Sequence, residues 1–336
     1  MIKVYIGELC SGYSQHPVLY PNLGRVRKES RLFLDKAFDV LKEPLVEVVQ
    51  NPKEADFLML PHEYFVIEQE RAYINQYVRL AQELDREILI FDWSDLDQAI
   101  DIPHSIVFRV SQYKSKMKNN VIVMPPFAPD LPPALPRHKS EKPSVGFMGY
   151  AGHGTFFQTV KGGIKDMLRS GAHKSGIYWR RRSMKILRKD IRLKTNFVIR
   201  TFFSGHRDTI GIMPEDARRE YIKNITDSDF VLAPKGDGNA SIRFYETLAL
   251  GRVPILIDTD CLLPLEKEIN YDDFIVRITW QELENLPERI VSFYANLTDE
   301  SFRLMQIKAR ETFSQYLRID KFFKHEFGRL EKQNHK

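Results

Sequence analysis

Cysteine is scarce. Cys10 and Cys261 are the only two in 336 residues and lie far apart, so no disulfide framework is implied. The nine histidines fall into no H-E-x-x-H or Cys/His ligand spacing, and no structural zinc is expected. No stretch reaches the roughly 18 uninterrupted apolar residues that a membrane-spanning helix needs. The opening "MIKVYIGELC" begins directly as a strand, without the basic-then-apolar layout of a signal peptide. Neither sign of charge dominates: 50 Lys/Arg against 45 Asp/Glu leave +5, which permits an anionic ligand without demanding nucleic acid. These absences point to a soluble chain of a reducing, cytoplasmic compartment. In that setting the Asn-x-Ser/Thr matches at Asn224 and Asn296 carry no meaning.

What is present is material for real cores. Hydrophobic residues make up 43% and aromatics 12%, over a length comfortable for two domains of about 150 residues each. Residues 1–125 read as strand, loop and helix in repetition. "KVYIG" (3–7), "ADFLMLP" (55–61), "EILIFDW" (87–93), "SIVFRVS" (105–111) and "VIVMPP" (121–126) are strands. "SRLFLDKAFDVL" (30–41) and "YINQYVRLAQEL" (73–84) have helical spacing. Continuous apolar strands alternating with amphipathic helices predict a parallel sheet covered on both faces.

Residues 126–144 are dense in proline, which fixes φ and removes backbone donors, and read as a linker. The alternation then restarts over 145–310. Its strands are "VGFMGY" (145–150), "NFVIRTFF" (196–203), "DFVLAP" (229–234), "VPILI" (253–257) and "DFIVRI" (273–278), with helices filling 281–330. Residues 311–336 form a C-terminal helical tail. Two α/β units joined by a linker leave a crevice, and such sheets bind ligands outside the carboxyl ends of their strands.

"PKGDGNASIRFYETLALG" (234–251) lies between two of those strands. Gly236 and Gly238 allow close backbone approach to a ligand. Asn239 or Ser241 can cap a helix beginning near 241, whose free N–H groups make a seat for a phosphate or diphosphate. Lys235 and Arg243 add cationic donors around the same anion. Glu246, one turn beyond Arg243, suits the hydroxyls of a ribose. The same spacing also fits a tight turn and an Arg–Glu surface pair. It is not a P-loop, since no G-K-[ST] follows the second glycine.

"DSDFVLAPKGDGNASIRFYETLALGRVPILI" followed by "LPLEKEINYDDFIVRI" resembles the signature region of the exostosin family of glycosyltransferases, glycosyltransferase family 47. That pattern is an aromatic strand, Pro, a basic residue, Gly, a short loop, then Ser-x-Arg-Phe-x-Glu and Gly-x-Val-Pro-[Val/Ile]. "ADFLMLP", "LIFDWSD" and "VIVMPPF" are collinear with its N-terminal half. The resemblance covers most of residues 1–280 and is specific over about 229–278. It implies a GT-B fold, two Rossmann-like domains facing across a cleft. It further implies inverting transfer of a sugar from a nucleotide sugar, a UDP-sugar being the expected class, to a glycan or lipid-linked acceptor. By that resemblance Lys235, Ser241, Arg243 and Glu246 hold the donor, with Ser241 and Arg243 at the diphosphate and Glu246 at the ribose. Where a basic residue is expected after the first strand of the second domain, this chain has "GYAGHG" (149–154), leaving His153 or Arg200 as the phosphate partner.

Transfer without a metal requires helix N–H groups and cationic side chains to stabilise the leaving diphosphate. Inversion also needs a general base, expected at the carboxyl end of a first-domain strand. Glu63, Glu8 and Asp92 are the candidates, with His62 and His16 nearby and Asp92 resembling a turn cap. Three D-x-D matches (95–97, 227–229, 258–260) show how cheap that metal pattern is, and no metal is expected. Residues 161–200 hold thirteen Lys/Arg against two acidic residues. A solvated helix face is the plain reading; an anionic acceptor, an anionic membrane surface or nucleic acid are the others, and no nucleic-acid module is recognisable. Besides a transferase, the sequence fits a nucleotide-sugar-binding protein without activity, or a binder of anionic polymer.

Overall fold

The computed structural model describes residues 1–24, 33–152, 166–202 and 210–334. Two parallel sheets organise it. The first has the order β2 (Glu47–Val48), β1 (Lys3–Tyr5), β3 (Phe57–Glu63), β4 (Ile88–Asp92), β5 (Ser105–Arg109), β6 (Val121–Val123), and every pairing is parallel. Strands β3 and β4 are buried along their whole length because helices cover both faces. Alternate side chains enter different cores. Phe57, Met59, Leu89, Phe91 and Phe108 share one cluster, while Leu58, Leu60, Ile88, Ile90 and Val107 share the other.

The helix Arg71–Leu84 covers the second of these faces through Ile74, Tyr77 and Ala81, and ends at Asp85 in a left-handed conformation. The first face is closed from the far end of the chain. Helix Ile319–Asn334 adds Phe322, Phe323, Phe327 and Leu330 to this cluster, with Phe323 against Phe91 and Phe108 and Phe327 against Phe108. The residues read from sequence as a tail thus complete the first domain's core. The expected helix over 30–41 appears as a 3-10 segment, Leu34–Val40, its first residues lying outside the described ones. Strand β2 is too short for periodicity to announce.

The second sheet has the order β11 (Val276–Thr279), β10 (Val253–Asp258), β9 (Phe230–Leu232), β7 (Ser144–Tyr150), β8 (Lys194–Arg200), again all parallel. Two such parallel α/β units are the GT-B arrangement. In each sheet the first strand lies between the second and the third, so the connections reverse direction there. The topological switch points are therefore β1/β3 and β7/β9, where a doubly wound sheet opens a crevice at the strands' carboxyl ends.

Between Met124 and Pro143 the chain is extended and pinned. Buried Asp229 accepts hydrogen bonds from Arg137 Nε (2.8 Å), Ser144 N (2.9 Å) and Ser144 Oγ (2.8 Å). Asp130 accepts from Arg310 (2.7 Å) and Arg318 (2.8 Å), tying this crossing to the segment that returns to the first domain.

Candidate functional site

At the β7/β9 switch point lies a cavity of about 170 Å³. The end of β7 supplies Met148, Gly149 and Tyr150 to its wall, and the loop after β9 supplies Gly236 and Ser241. Helix Ile242–Ala249 supplies Arg243 and Glu246, helix Pro214–Thr226 supplies Arg218 and Tyr221, and helix Gly176–Leu187 supplies Arg180. Phe33 reaches in from the first domain.

Arg243 lies over the Phe147 ring, 4.2 Å from its centroid, and donates to the Met148 carbonyl at 2.7 Å. A Cβ on residue 149 would stand 2.6 Å from Arg243 Nη2, so the glycine is what admits the guanidinium. Arg180 donates to the Tyr150 carbonyl at 2.8 Å; burial, then the charge of Arg243, lower its pKa to about 10. Arg218 donates to Glu246 Oε1 at 2.7 Å and lies over the rings of Phe33 and Tyr221. Tyr221 donates to Glu246 Oε2 at 2.7 Å, and burial, followed by that carboxylate, raises its pKa.

Each of these arginines keeps one buried nitrogen without a hydrogen-bond partner among the described residues: Arg180 Nε, Arg218 Nη2 and Arg243 Nε. Buried unpaired donors on cations are costly, and an anion bound among them removes that cost. Three guanidiniums against one carboxylate leave a surplus of two positive charges on the wall. Ser241 sits at the N-cap of Ile242–Ala249 but makes no side-chain capping bond, which leaves its hydroxyl free for a ligand.

The sequence-predicted donor residues divide. Gly236, Ser241, Arg243 and Glu246 meet at the cavity. Lys235, Gly238 and Asn239 instead seal the two domains together. The Lys235 ammonium donates to Tyr113 Oη (2.9 Å) and the Ala172 carbonyl (2.8 Å); burial, then Arg169, lower its pKa to about 8. Gly238 N donates to Asp95 Oδ1 at 3.0 Å, and a Cβ there would meet Asp95 and the Ser111 hydroxyl within 2.9 Å. Asn239 N donates to Ser111 Oγ at 2.8 Å, and its side chain bonds Gln112, Thr259 and Asp260. The close approach foreseen for a ligand at Gly238 is thus an approach of one domain to the other. Arg200 pairs with Glu220 and is not on the cavity wall. His153 lies outside the described residues.

The D-x-D at 258–260 also does interdomain work. Asp258 caps Cys261 N (3.1 Å), while Asp260 accepts from Ser115 N across the domains (3.1 Å).

At the first domain's switch point, Glu63 ends β3 and caps the next turn by accepting from Val66 N at 3.1 Å. Burial, then the neighbouring Asp92 carboxylate, raise its pKa to about 7. Its Oε1 is buried without a partner among the described residues. Asp92 is committed to structure: it accepts from Arg109 Nη2 (2.7 Å), Ser94 N (2.9 Å) and Ser94 Oγ (2.6 Å). Glu8 is exposed on the loop after β1. His62 holds that loop through Cys10 N and the Ser14 carbonyl, and His16 is enclosed by Phe91, Trp93, Phe127 and Phe323.

Sequence reasoning did not find Arg180, Arg218, Tyr221 or Phe33. Arg180 is one cation in "YWRRRS", where nothing marks it as the inward one; Trp179 beside it was the available signal, since a helix burying Trp179 and Met184 turns position 180 toward the sheet's end.

Residues 178–293 match the Exostosin GT47 domain. Over 101 residues the chain is 30% identical to the Exostosin-1 homolog of Caenorhabditis elegans, a stretch amounting to 30% of this chain and 25% of that protein. Among solved structures, TarM overlaps 83% of this chain and 55% of its own at 10% identity and a TM-score of 0.42. A glycosyltransferase from Rickettsia africae ESF-5 overlaps 98% and 97% at 11% identity and a TM-score of 0.39. At such overlap the fold assignment rests on the chain's own two sheets.

Proposed function

We propose, on the match of residues 178–293 to the Exostosin GT47 domain, that the chain is an inverting glycosyltransferase using a nucleoside-diphosphate sugar, of the UDP-sugar class, as donor. The observation that carries this reading is the ring of Arg180, Arg218 and Arg243, each with a buried nitrogen that has no partner among the described residues, around one cavity beside Glu246. A diphosphate fits the charge surplus. The ribose hydroxyls fit Glu246, provided they replace Tyr221 or Arg218 on its oxygens. Replacement of Arg218 would free that guanidinium for the diphosphate, so ribose recognition and phosphate binding would be coupled through one side chain.

In the reaction the acceptor oxygen bonds to the anomeric carbon from the face opposite the diphosphate, and the carbon–oxygen bond to the diphosphate breaks. The three guanidiniums and the first amides of Ile242–Ala249 stabilise the charge on the departing nucleoside diphosphate, the part a divalent ion plays in other designs. The chemistry is metal-independent in this proposal. The acceptor's proton goes to Glu63, whose pKa near 7 matches a base working at neutral pH. Glu8, exposed at the same switch point, is the second candidate; Asp92 is held by Arg109 and positions the neighbourhood. The acceptor, a glycan or a lipid-linked sugar, approaches from the first-domain side.

Nucleoside-diphosphate release from a panel of nucleotide sugars, in the presence of oligosaccharide acceptors, tests the proposal. Release with one donor, abolished in Glu63→Gln while nucleotide binding persists, supports it. Nucleotide binding without any turnover would mark a binding protein instead.

A further inference from the structure

Helix Gly176–Leu187 and the two residues after it carry a dense run of charge of one sign. Residues 176–189 contain six Lys/Arg and no acidic residue. Trp179, Ser183, Met184 and Leu187 are buried and Arg180 turns to the donor cavity, while Arg181, Arg182, Lys185, Arg188 and Lys189 are exposed. Like charges four apart, as at Arg181/Lys185 and Lys185/Lys189, repel and weaken a helix. Arg182 is relieved by Glu284; Arg181 and Lys185 have no carboxylate partner among the described residues. Just before the helix, Met167 and Leu168 stand 82% and 80% exposed. Met167 shares an open recess of about 480 Å³ with Tyr178, Arg181 and Lys185, and Lys174 lies 4.7 Å over the Tyr178 ring. The one carboxylate in that recess, Asp166, faces inward and is used by Ser175 N (2.9 Å) and Oγ (2.8 Å).

We propose that this face docks on an anionic phospholipid bilayer, with Met167 and Leu168 entering the headgroup layer and Arg181, Lys185, Arg188 and Lys189 set against lipid phosphates. A solvated basic helix needs no protruding apolar pair beside it, and neither does a polyanion site. The combination of apolar tips and uncompensated cations is what an interfacial anchor requires. The surface is separate from the donor cavity, so the docking stands or falls independently of the proposed reaction.

The test is flotation of the full chain with vesicles of phosphatidylcholine, with and without phosphatidylglycerol. Two paired variants accompany it: Arg181→Glu with Lys185→Glu, and Met167→Ser with Leu168→Ser. All four positions are exposed, and circular dichroism checks that the fold is retained. The expected result is binding to phosphatidylglycerol vesicles and none to phosphatidylcholine alone, weakened about tenfold or more by the charge pair and clearly weakened by the apolar pair. No binding to anionic vesicles, or binding unchanged by either pair, would overturn the proposal. So would retention on heparin together with vesicle binding indifferent to Met167 and Leu168, which would make the face a polyanion site.

Discussion

Burial and the Asp92 carboxylate move the Glu63 pKa from its ordinary 4.5 to about 7. Between those values the folded chain keeps a proton that the unfolded chain has lost. The stabilisation is therefore full below the unfolded pKa and is lost as pH rises through 7. Glu63→Gln, permanently neutral, is expected to flatten this slope and to raise Tm above wild type at pH 8; thermal scans from pH 5 to 8 with parallel slopes would contradict it. Gly149 makes a second residue-scale prediction. Gly149→Ala places a methyl 2.6 Å from Arg243 Nη2. The displaced guanidinium should cost nucleotide affinity about tenfold, ~1.4 kcal/mol, with the fold retained. Titration of this variant showing wild-type affinity would remove Arg243 from the diphosphate. In the sequence Gly149 opens the stretch where a basic residue was expected; in the structure that glycine makes room for the guanidinium of Arg243.

At the scale of elements, the loop 234–240 and the helix Gly176–Leu187 are set against each other with almost no space. A Cβ on Gly176 would lie 2.2 Å from the Gly236 carbonyl. Gly176→Ala must push the two elements apart, at a cost of about 1–3 kcal/mol, and should lower donor affinity as well because Arg180 rides on that helix. A denaturant midpoint unchanged by the substitution would show that the contact is slack. Apart from Glu47–Val48, the strands of both sheets were legible, as were the helix Arg71–Leu84 and the helices after residue 281, because continuous apolar runs and 3.6-residue spacing are properties of single segments; the helix Pro214–Thr226 was not. The donor helix was legible through Ser241, Arg243 and Glu246, which share one short motif. Arg218 and Arg180 were not, because their meeting with Arg243 depends on how three helices pack around β7, and no local spacing encodes that. Lys235, Gly238 and Asn239 look like ligand groups for the same reason. A loop shaped to approach a nucleotide and one shaped to approach Ser111 and Asp95 need the same small, polar residues.

At the scale of the molecule, the chain crosses between domains twice, through the proline-rich segment and through residues 313–319, and Asp130 clasps both crossings with Arg310 and Arg318. The last helix then fills the first domain's core with Phe322, Phe323 and Phe327. Phe323→Ala is expected to cost about 3–5 kcal/mol, and to do so in the first domain's unfolding transition, although residue 323 follows the second domain in sequence. Loss confined to the second domain's transition would contradict the packing. The loops after β5 and β9 meet in the seam that Lys235–Tyr113 and Asn239–Ser111 form, and the proposed transfer needs donor and acceptor to meet along it. The measurement that tests this most directly is calorimetric titration of UDP, GDP and CMP, with chelator present, into wild type and Arg243→Ala. The account predicts that one nucleotide binds wild type without metal and binds the variant at least about tenfold more weakly. No binding of any of the three to folded protein, or equal binding to both proteins, would contradict a donor site at the three-arginine cavity.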